Sequence, residues 1–197
     1  MITLCMDTSS KYLVLGILKD NVLLHSIQEE CWKKQSEEIF PRLMELTERC
    51  GIGPEDIDSV VITEGPGSYT GVRIAMTIAK VFCVMGNKRL YTIGTLQLFA
   101  GMEKCRVILD ARGQRVYTAV VDHGKYIEEP SVKGIEDVVA LAEELPVIGD
   151  GALIGKENVY PNLAANFAAL KDVWVKAENT NLVRPEYLKS SESYLVK

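Results

Sequence analysis

The stretch that decides the fold is Gly65-Pro66-Gly67-Ser68-Tyr69-Thr70-Gly71-Val72-Arg73-Ile74, which joins a short apolar segment to a long apolar one. The residues before it, Val60-Val61-Ile62-Thr63, are all β-branched and predict a buried strand. The residues after it predict a helix over about 70–85. A strand that leads through a glycine-rich turn into a helix is typical of α/β proteins.

The residues of this turn leave two interpretations open. Glycines before a helix expose backbone N–H groups, so Ser68 or Thr70 would cap the helix or contact an anion such as phosphate. The turn is not a Walker loop, because Val72 stands where that motif needs lysine. The other interpretation is a tight strand-to-helix turn whose glycines serve the backbone alone.

The helix that follows has more apolar surface than a single core requires. At 100° per residue, its polar residues Arg73, Thr77 and Lys80 share one narrow strip, and apolar or small residues cover about 220°. A helix that lies on one core needs a stripe nearer 100°. The small residues Gly71, Ala75 and Ala79 form one line on this surface. A neighbouring line consists of larger residues: Ile74, Ile78, Val81 and Met85.

A preceding helix, predicted over 36–50, shows the same excess. Ser36 is the predicted N-cap residue, and Gly51 is predicted to end the helix. Its apolar residues form two adjacent lines: Ile39, Leu43 and Leu46, and beside them Phe40 and Met44. Either this chain encloses both helices, or a partner protein covers the side that the chain's own sheet leaves free. The predicted partner contacts are Ile39, Leu43, Leu46, Gly71, Ala75, Ile78, Ala79 and Phe82.

The rest of the chain predicts two small α/β lobes. Further strands are predicted over 2–6, 12–18, 22–28, 89–93, 106–109, 115–121 and 146–148, with a weaker one near Tyr126 and helices over 135–144 and 163–170. The pattern partly repeats after Gly94. We therefore predict an N-terminal lobe, 1–100, that carries the two apolar helices, and a smaller C-terminal lobe, 101–197.

Composition argues against several classes of protein. The net charge of -5 gives no general attraction to nucleic-acid phosphates. The five cysteines are scattered, and the two histidines, His25 and His123, lie far apart in sequence, so no zinc site, disulfide frame or catalytic triad is predicted. We find neither a signal peptide nor the roughly 18 uninterrupted apolar residues of a membrane helix, and expect a cytoplasmic protein.

Acidic residues follow three of the predicted strands and provide candidates for holding Mg²⁺ beside a nucleotide phosphate. These nucleotide-site candidates are Asp7, Thr8, Ser9, Asp110, Gly149, Asp150 and Gly151. They support an alternative function, a free-standing ATPase or small-molecule kinase. One observation argues against this alternative function. A phosphate approaches the backbone closely where a glycine is present, and the loop after the first strand has no glycine.

Taken together, these segments resemble the TsaB family, also called YeaZ, of tRNA threonylcarbamoyladenosine biosynthesis proteins. The stretch 65–74 differs only conservatively from that family's Gly-Pro-Gly-Ser-Phe-Thr-Gly-Leu-Arg-Ile. Gln35 stands where the family usually has His. The other matching segments follow the family's order: Asp7-Thr8-Ser9, Gln35–Leu43, Asp110-Ala111-Arg112, Gly149-Asp150-Gly151 and Pro185-Glu186-Tyr187-Leu188.

The resemblance implies a two-lobed actin-like fold, as in sugar kinases and Hsp70-type ATPases, with a mixed sheet and flanking helices in each lobe. It implies a heterodimer with TsaD, which transfers threonylcarbamoyl to the adenosine beside the tRNA anticodon, joined by the small ATPase TsaE. In the family, the first-lobe helices pack against the equivalent helices of TsaD, which agrees with the excess of apolar surface found above.

The resemblance also implies what this chain does not do itself. It implies no catalytic residue, no metal and no required cofactor, with ATP or ADP left open at the interface of the complex. Contact with tRNA is expected only through the complex. Intrinsic ATPase or protease activity is not expected, and a homodimer through the same helices is the alternative assembly when TsaD is absent.

Overall fold

The computed structural model describes residues 1–142 and 144–188. The helices are α1 Gln35–Cys50, α2 Tyr69–Gly86, α3 Thr95–Ala100, α4 Ile135–Val139 and α5 Leu163–Ala169. The strands are β1 Ile2–Asp7, β2 Tyr12–Lys19, β3 Val22–Glu30, β4 Ser59–Thr63, β5 Arg89–Ile93, β6 Cys105–Asp110, β7 Arg115–Asp122, β8 Lys125–Gly134, β9 Val147–Gly149 and β10 Val175–Lys176.

The two sheets repeat one arrangement of strands. The first has the order β10-β5-β4-β1-β2-β3 and the second the order β8-β7-β6-β9. In each, three consecutive strands form an antiparallel meander, and the next strand of the sheet pairs in parallel with the first strand of that meander. This duplicated order confirms the predicted α/β class with two mixed sheets and an actin-like architecture.

The first sheet is covered on both faces, so its central strands are almost continuously apolar. Alternate residues of β1, such as Leu4 and Met6, pack towards α1 and α2. Cys5 between them, together with Val14 of β2, belongs to the core between the two sheets. The helices α1 and α2 therefore form the outer layer of the first lobe.

Helices α3 and α5 lie between the two sheets. Phe99 of α3 and Phe167 of α5 are fully buried in one cluster with Val61 of the first sheet and Val107 of the second. Helix α3 packs on β6 and β7, whereas α5 packs on β2 and β3, and β10 pairs with β5. The chain from 163 to 176 therefore packs against the first sheet, although the predicted division at residue 100 assigns it to the C-terminal lobe.

The glycines of the decisive turn let α2 lie directly on the loop after β1. A Cβ atom on Gly67 would overlap the carbonyl oxygen of Ser9, and one on Gly71 would overlap that of Thr8. The Thr8 hydroxyl donates to the Gly71 carbonyl at 2.6 Å, and the Ser68 N–H donates to the Ser9 carbonyl at 2.7 Å. Ser68 also caps α2 by accepting the Gly71 N–H. These glycines are therefore needed for close packing.

Gly71→Ala should lower the free energy of unfolding by about 1–3 kcal/mol, because the added methyl group must push α2 away from the Thr8 carbonyl. Gly86→Ala is the matched control in the same helix, since its methyl group would meet only the flexible side chain of Lys88. That change should be neutral or stabilising, by up to about 1 kcal/mol. Urea unfolding of both variants measures the difference, and equal effects would contradict this account of the turn.

Candidate functional site: the inter-lobe cleft and the outer helices

A cleft of about 640 Å³ lies between the lobes. Its lining includes residues of the loops after β1, β6 and β9, and the first residues of α2. Ligands of α/β proteins commonly bind at the carboxyl ends of strands. The cleft is therefore the first place to look for the nucleotide site that the sequence left open.

Asp7 does not line this cleft. Its carboxyl group is fully buried, and Oδ1 accepts hydrogen bonds from the Ser9 N–H at 3.0 Å and the Thr63 hydroxyl at 2.5 Å. Oδ2 is buried without a hydrogen-bond partner among the described residues. Burial raises the pKa of Asp7, and the hydrogen bonds from Ser9 and Thr63 offset only part of that rise.

Thr8 is likewise committed to the packing of α2. Its hydroxyl donates to the Gly71 carbonyl and accepts the Ala75 N–H at 3.2 Å, and its side chain is fully buried. Ser9 is buried as well, with its backbone held by Asp7 and Ser68. The Thr8 hydroxyl is thus used in the packing of α2, whereas the Ser9 hydroxyl is buried without a hydrogen-bond partner among the described residues, and Ser9 lines the cleft. A role of Asp7, Thr8 and Ser9 in binding a nucleotide stays a prediction.

Asp110 and Asp150 lie together at the ends of β6 and β9. The Asp150 carboxylate accepts the Asp110 N–H at 2.8 Å and the Tyr160 hydroxyl. The Asp110 carboxylate accepts the Arg112 N–H at 2.6 Å. Gly149 is needed at positive φ, where a Cβ atom would overlap the Ile108 carbonyl. The turn residues Asp110, Gly149, Asp150 and Gly151 are thus adjacent, and their role in binding a nucleotide stays a prediction.

Aromatic and cationic side chains form another part of the cleft wall. The Arg112 guanidinium lies 5.4 Å from the ring centroid of Trp32. The Lys11 ammonium lies 4.5 Å from the ring centroid of Tyr160 and 3.5 Å from the Glu30 carboxylate. Sequence reasoning missed these pairs because each joins residues far apart in the chain. No local motif carries such a signal.

The last described segment covers the outside of the decisive turn. The Glu186 N–H donates to the Glu64 carbonyl at 2.7 Å, and the Tyr187 ring stacks on Tyr69 with centroids 5.2 Å apart. Burial, reinforced by the nearby carboxylate of Glu64, raises the pKa of Glu186. The segment 185–188, singled out by its resemblance, therefore serves to hold the start of α2.

Neither a metal centre nor a hydrolytic triad is assembled within residues 1–142 and 144–188. No three His, Cys, Asp or Glu side chains group there in a way that suits a metal ion. His25 contacts Arg49 and His123 contacts Asp122, and no hydrogen bond in this part of the chain joins either ring to a serine or cysteine. A serine or cysteine hydrolase needs that nucleophile–base contact.

The predicted partner contacts fall into two groups in the structure. The five residues Ile39, Leu46, Gly71, Ala75 and Ala79 are buried within this chain, and four of them belong to the core beneath the outer helices. They are not on the free surface, and the prediction is corrected for them: the small residues of α2 admit its own sheet, not a foreign helix. Leu43, Ile78 and Phe82 remain partly exposed.

The free apolar surface lies beside those buried residues. Phe40 and Met44 of α1 are 57% and 72% exposed, and Val81 and Met85 of α2 are 54% and 83% exposed. Ile74 and Ile78 share the line of Val81 and Met85 on α2 and are partly exposed. We call the surface of Phe40, Met44, Ile74, Ile78, Val81 and Met85 the helical apolar face.

Several charged side chains of the two helices are bound by other parts of the chain. Arg42 and Arg49 of α1 pair with Glu29 and Glu45 at 2.8 and 2.5 Å. On α2, Lys80 donates to the backbone carbonyls of Asn181 and Val183. Among the described helices, α2 alone is long and apolar enough to cross a membrane by length and composition, and 33% of its 18 residues are buried in this chain. Core helices of soluble proteins also meet these criteria.

Solved structures place the chain among two-lobed α/β proteins. A structure described as YeaZ from Pseudomonas aeruginosa superposes with a TM-score of 0.73, at 21% identity, over 95% of this chain and 99% of that one. Another, described as an uncharacterized protein with similarity to peptidase YeaZ from the same organism, has a TM-score of 0.76 at the same identity and coverage. At this identity the likeness establishes the fold alone.

Sequence comparison gives the family. A family model described as TsaD, tRNA N6-adenosine threonylcarbamoyltransferase, matches residues 26–148, which is more than half of the chain. The chain belongs to that family and, within it, to the TsaB or YeaZ proteins of tRNA threonylcarbamoyladenosine biosynthesis. The TsaB proteins of Bacillus subtilis and of Buchnera aphidicola from Acyrthosiphon pisum are 28% and 26% identical over 75% and 91% of this chain.

The matched length differs between relatives. The match spans 66% of the Bacillus subtilis protein and 47% of a second Buchnera aphidicola TsaB, from Schizaphis graminum, which is less than two thirds in both cases. It spans 91% of the Acyrthosiphon pisum relative.

Asp7→Asn should raise the free energy of unfolding at neutral pH. Because the folded state raises the pKa of Asp7 above its unfolded value of about 4, the stability contributed by the protonated carboxyl is complete below that value. That stability is lost as the pH rises through the folded pKa. Asparagine keeps an acceptor oxygen for Ser9 and Thr63 without the charge. The decrease in the free energy of unfolding with rising pH should therefore be smaller in this variant.

Urea unfolding between about pH 4 and pH 8 checks this prediction. Thr63→Val is the opposing variant, because it deletes a hydrogen bond that favours the charged carboxylate and should make the loss of stability with pH larger. A pH profile of Asp7→Asn that matches the unmodified chain would contradict the assignment of a buried carboxylate whose burial is only partly offset by hydrogen bonds.

Proposed function

We propose that this chain is a non-catalytic subunit that binds TsaD through the helical apolar face and activates it in tRNA threonylcarbamoyladenosine biosynthesis. The supporting observation is that four large apolar side chains on two neighbouring helices, Phe40, Met44, Val81 and Met85, are more than half exposed. Contiguous apolar patches on soluble proteins commonly mark protein interfaces. TsaD would complete the burial that the first sheet leaves unfinished.

TsaD is the partner that the sequence relationship favours. The family model described as TsaD matches 26–148, a range that includes both α1 and α2. A protein of that family is expected to have equivalent outer helices with a related apolar face. Two related surfaces of this kind can pair face to face, as the identical surfaces of a two-fold dimer do. The same reasoning makes a homodimer the competing assembly when TsaD is absent.

The described residues also support a role without chemistry of its own. The acids Asp7 and Asp150 are engaged in hydrogen bonds that hold loops, and neither histidine contacts a serine or cysteine in this part of the chain. We therefore assign transfer of threonylcarbamoyl to TsaD. This chain would hold TsaD in its competent conformation and shape the surface where TsaE and ATP or ADP are bound.

The proposed role has consequences for substrate and location. With a net charge of -5, the chain would contact tRNA only as part of the complex, where other subunits supply most of the positive charge. The proposal requires no metal or cofactor within the isolated chain. It places the protein in the cytoplasm, with the tRNA that the complex modifies.

Val81→Asp and Met44→Asp should each weaken binding to TsaD by about 30-fold or more, because each places a charge at the centre of an apolar contact. Both side chains are exposed in the free chain, so neither change should unfold it. Ile78→Asp is the variant that the helix pattern alone suggests, but Ile78 is partly buried. Val139→Asp, at an exposed valine on α4, is the matched control.

Co-purification with TsaD and a reconstituted modification assay provide the measurements. With TsaD, TsaE and the adenylate-forming enzyme present, tRNA modification should need the unmodified chain and fall with Val81→Asp and Met44→Asp but not with Val139→Asp. Full modification in the absence of this chain, or an intact complex with both interface variants, would rule out the proposed function.

A further inference from the structure

An exposed aromatic–cation pair stands at the rim of the cleft. Trp32 is 45% exposed, and the guanidinium of Arg112 lies over its ring, 5.4 Å from the centroid. Trp32 comes from the loop between β3 and α1, and Arg112 comes from the turn after β6. The pair therefore bridges the two lobes at the mouth of the cleft, although tryptophan is more often largely buried.

Three further cationic side chains come from the segments that carry this pair. Arg115 also lines the cleft, and Lys33 and Lys34 directly follow Trp32; all three are exposed. Within the described residues, the ion pairs involve none of these side chains and do not involve Arg112. These four cations are thus free of ion pairs within the described part of the chain.

The acids of the same cleft are already engaged. Glu30 lies 3.5 Å from the Lys11 ammonium, and the carboxylates of Asp110 and Asp150 accept hydrogen bonds from backbone and tyrosine donors. Their negative charge equals in number the positive charge of Lys11, Arg112 and Arg115 among the lining residues, but none of the three acids forms an ion pair with either arginine. A ligand that approaches Arg112 and Arg115 therefore meets guanidinium groups that no carboxylate of the described chain has bound.

We propose that Trp32, Arg112 and Arg115 form a binding site for a single-stranded segment of tRNA. One unpaired base stacks on the indole, and the adjoining phosphates bind the two guanidinium groups. The site rests on the proposed function, because tRNA reaches this chain within the complex with TsaD. Lys33 and Lys34 extend the positive surface along the same loop.

The chemistry of the pair favours unpaired RNA over other ligands. An aromatic side chain stacks on a base only where that base is not already paired and stacked in a duplex. An acidic peptide would satisfy the arginines but would leave the indole exposed. A guanidinium that already lies over the ring can both bind phosphate and stack on a base, which a lysine cannot do in the same way.

The test is equilibrium binding of tRNA to the complex of this chain with TsaD over a range of salt concentrations. Trp32→Ala should weaken binding by roughly 5- to 100-fold, whereas Trp32→Phe keeps an aromatic face and should retain most of the affinity. Arg112→Gln with Arg115→Gln should reduce the slope of log K against log salt by about 1.4, because each single-strand phosphate that is no longer neutralised lowers it by about 0.7.

The matched control for charge is Lys104→Gln with Lys171→Gln, which removes two exposed cations outside the cleft. These changes should leave the slope and the affinity close to those of the unmodified complex. Unchanged affinity and slope for all cleft variants would overturn the proposed site. An equal reduction by the control pair would do so too, because it would mean that net charge alone is responsible.

Two further measurements distinguish failure of the RNA site from failure of the proposed function. A single-stranded oligoribonucleotide should compete with tRNA at this site; competition by ADP or ATP and not by the oligonucleotide would assign the cleft to a mononucleotide and overturn the RNA site. Each variant is also co-purified with TsaD. Complexes that form while tRNA binding stays unchanged reject the RNA site alone, whereas failure of the unmodified chain to bind TsaD rejects both proposals.

Discussion

The close packing of α2 on the first sheet is the constraint on which the rest of the structure depends. Gly71 lies against the Thr8 carbonyl, and Ala75 and Ala79 continue the contact along the helix. The side of α2 that carries these small residues, together with Val72 and Met76, is buried on the sheet, whereas Val81 and Met85 lie off that side and are exposed. One interaction therefore both holds the first lobe together and produces its uncovered apolar surface.

The same packing determines the chemistry of the loop after β1. In that loop, Thr8 binds α2, and Asp7 is buried beneath Ser9 with Thr63 as its hydrogen-bond donor. The Thr8 hydroxyl and Asp7 Oδ1 are therefore used inside the first lobe, whereas Asp7 Oδ2 and the Ser9 hydroxyl have no hydrogen-bond partner among the described residues. The loop after the first strand therefore contributes to the interior of the first lobe.

The sequence predicted the two outer helices to within one residue at each end, because residues such as Ser68 and Gly51 mark their ends. The predicted cap at Ser36 is wrong, since α1 begins at Gln35 and its N-cap residue is Lys34, which makes no side-chain cap hydrogen bond. It missed α3, whose six residues, Thr95–Ala100, are too few for a helical period to stand out. It extended α4 to residue 144, whereas the helix ends at Val139 and continues as a 3₁₀ turn to Ala142. Short elements depend on tertiary contacts that a local pattern does not contain.

The sequence indicated which residue types form the sites better than it indicated the direction in which their side chains point. The helix pattern shows that an apolar arc is wide, but it does not show which part of the arc the chain's own sheet occupies. Ala75 and Ala79 were therefore predicted to face a partner, although they face the core. The contact between Trp32 and Arg112 joins two lobes and had no sequence signal at all.

Methionine oxidation tests the central claim most directly, because three exposed methionines differ in their position. Met44 and Met85 lie on the helical apolar face, 72% and 83% exposed, and Met102 lies away from it, 44% exposed. With TsaD bound, Met44 and Met85 should oxidise much more slowly than in the free chain, while Met102 should oxidise at an unchanged rate. If Met44 and Met85 oxidise as fast in the complex as in the free chain, the outer helices are not where TsaD binds.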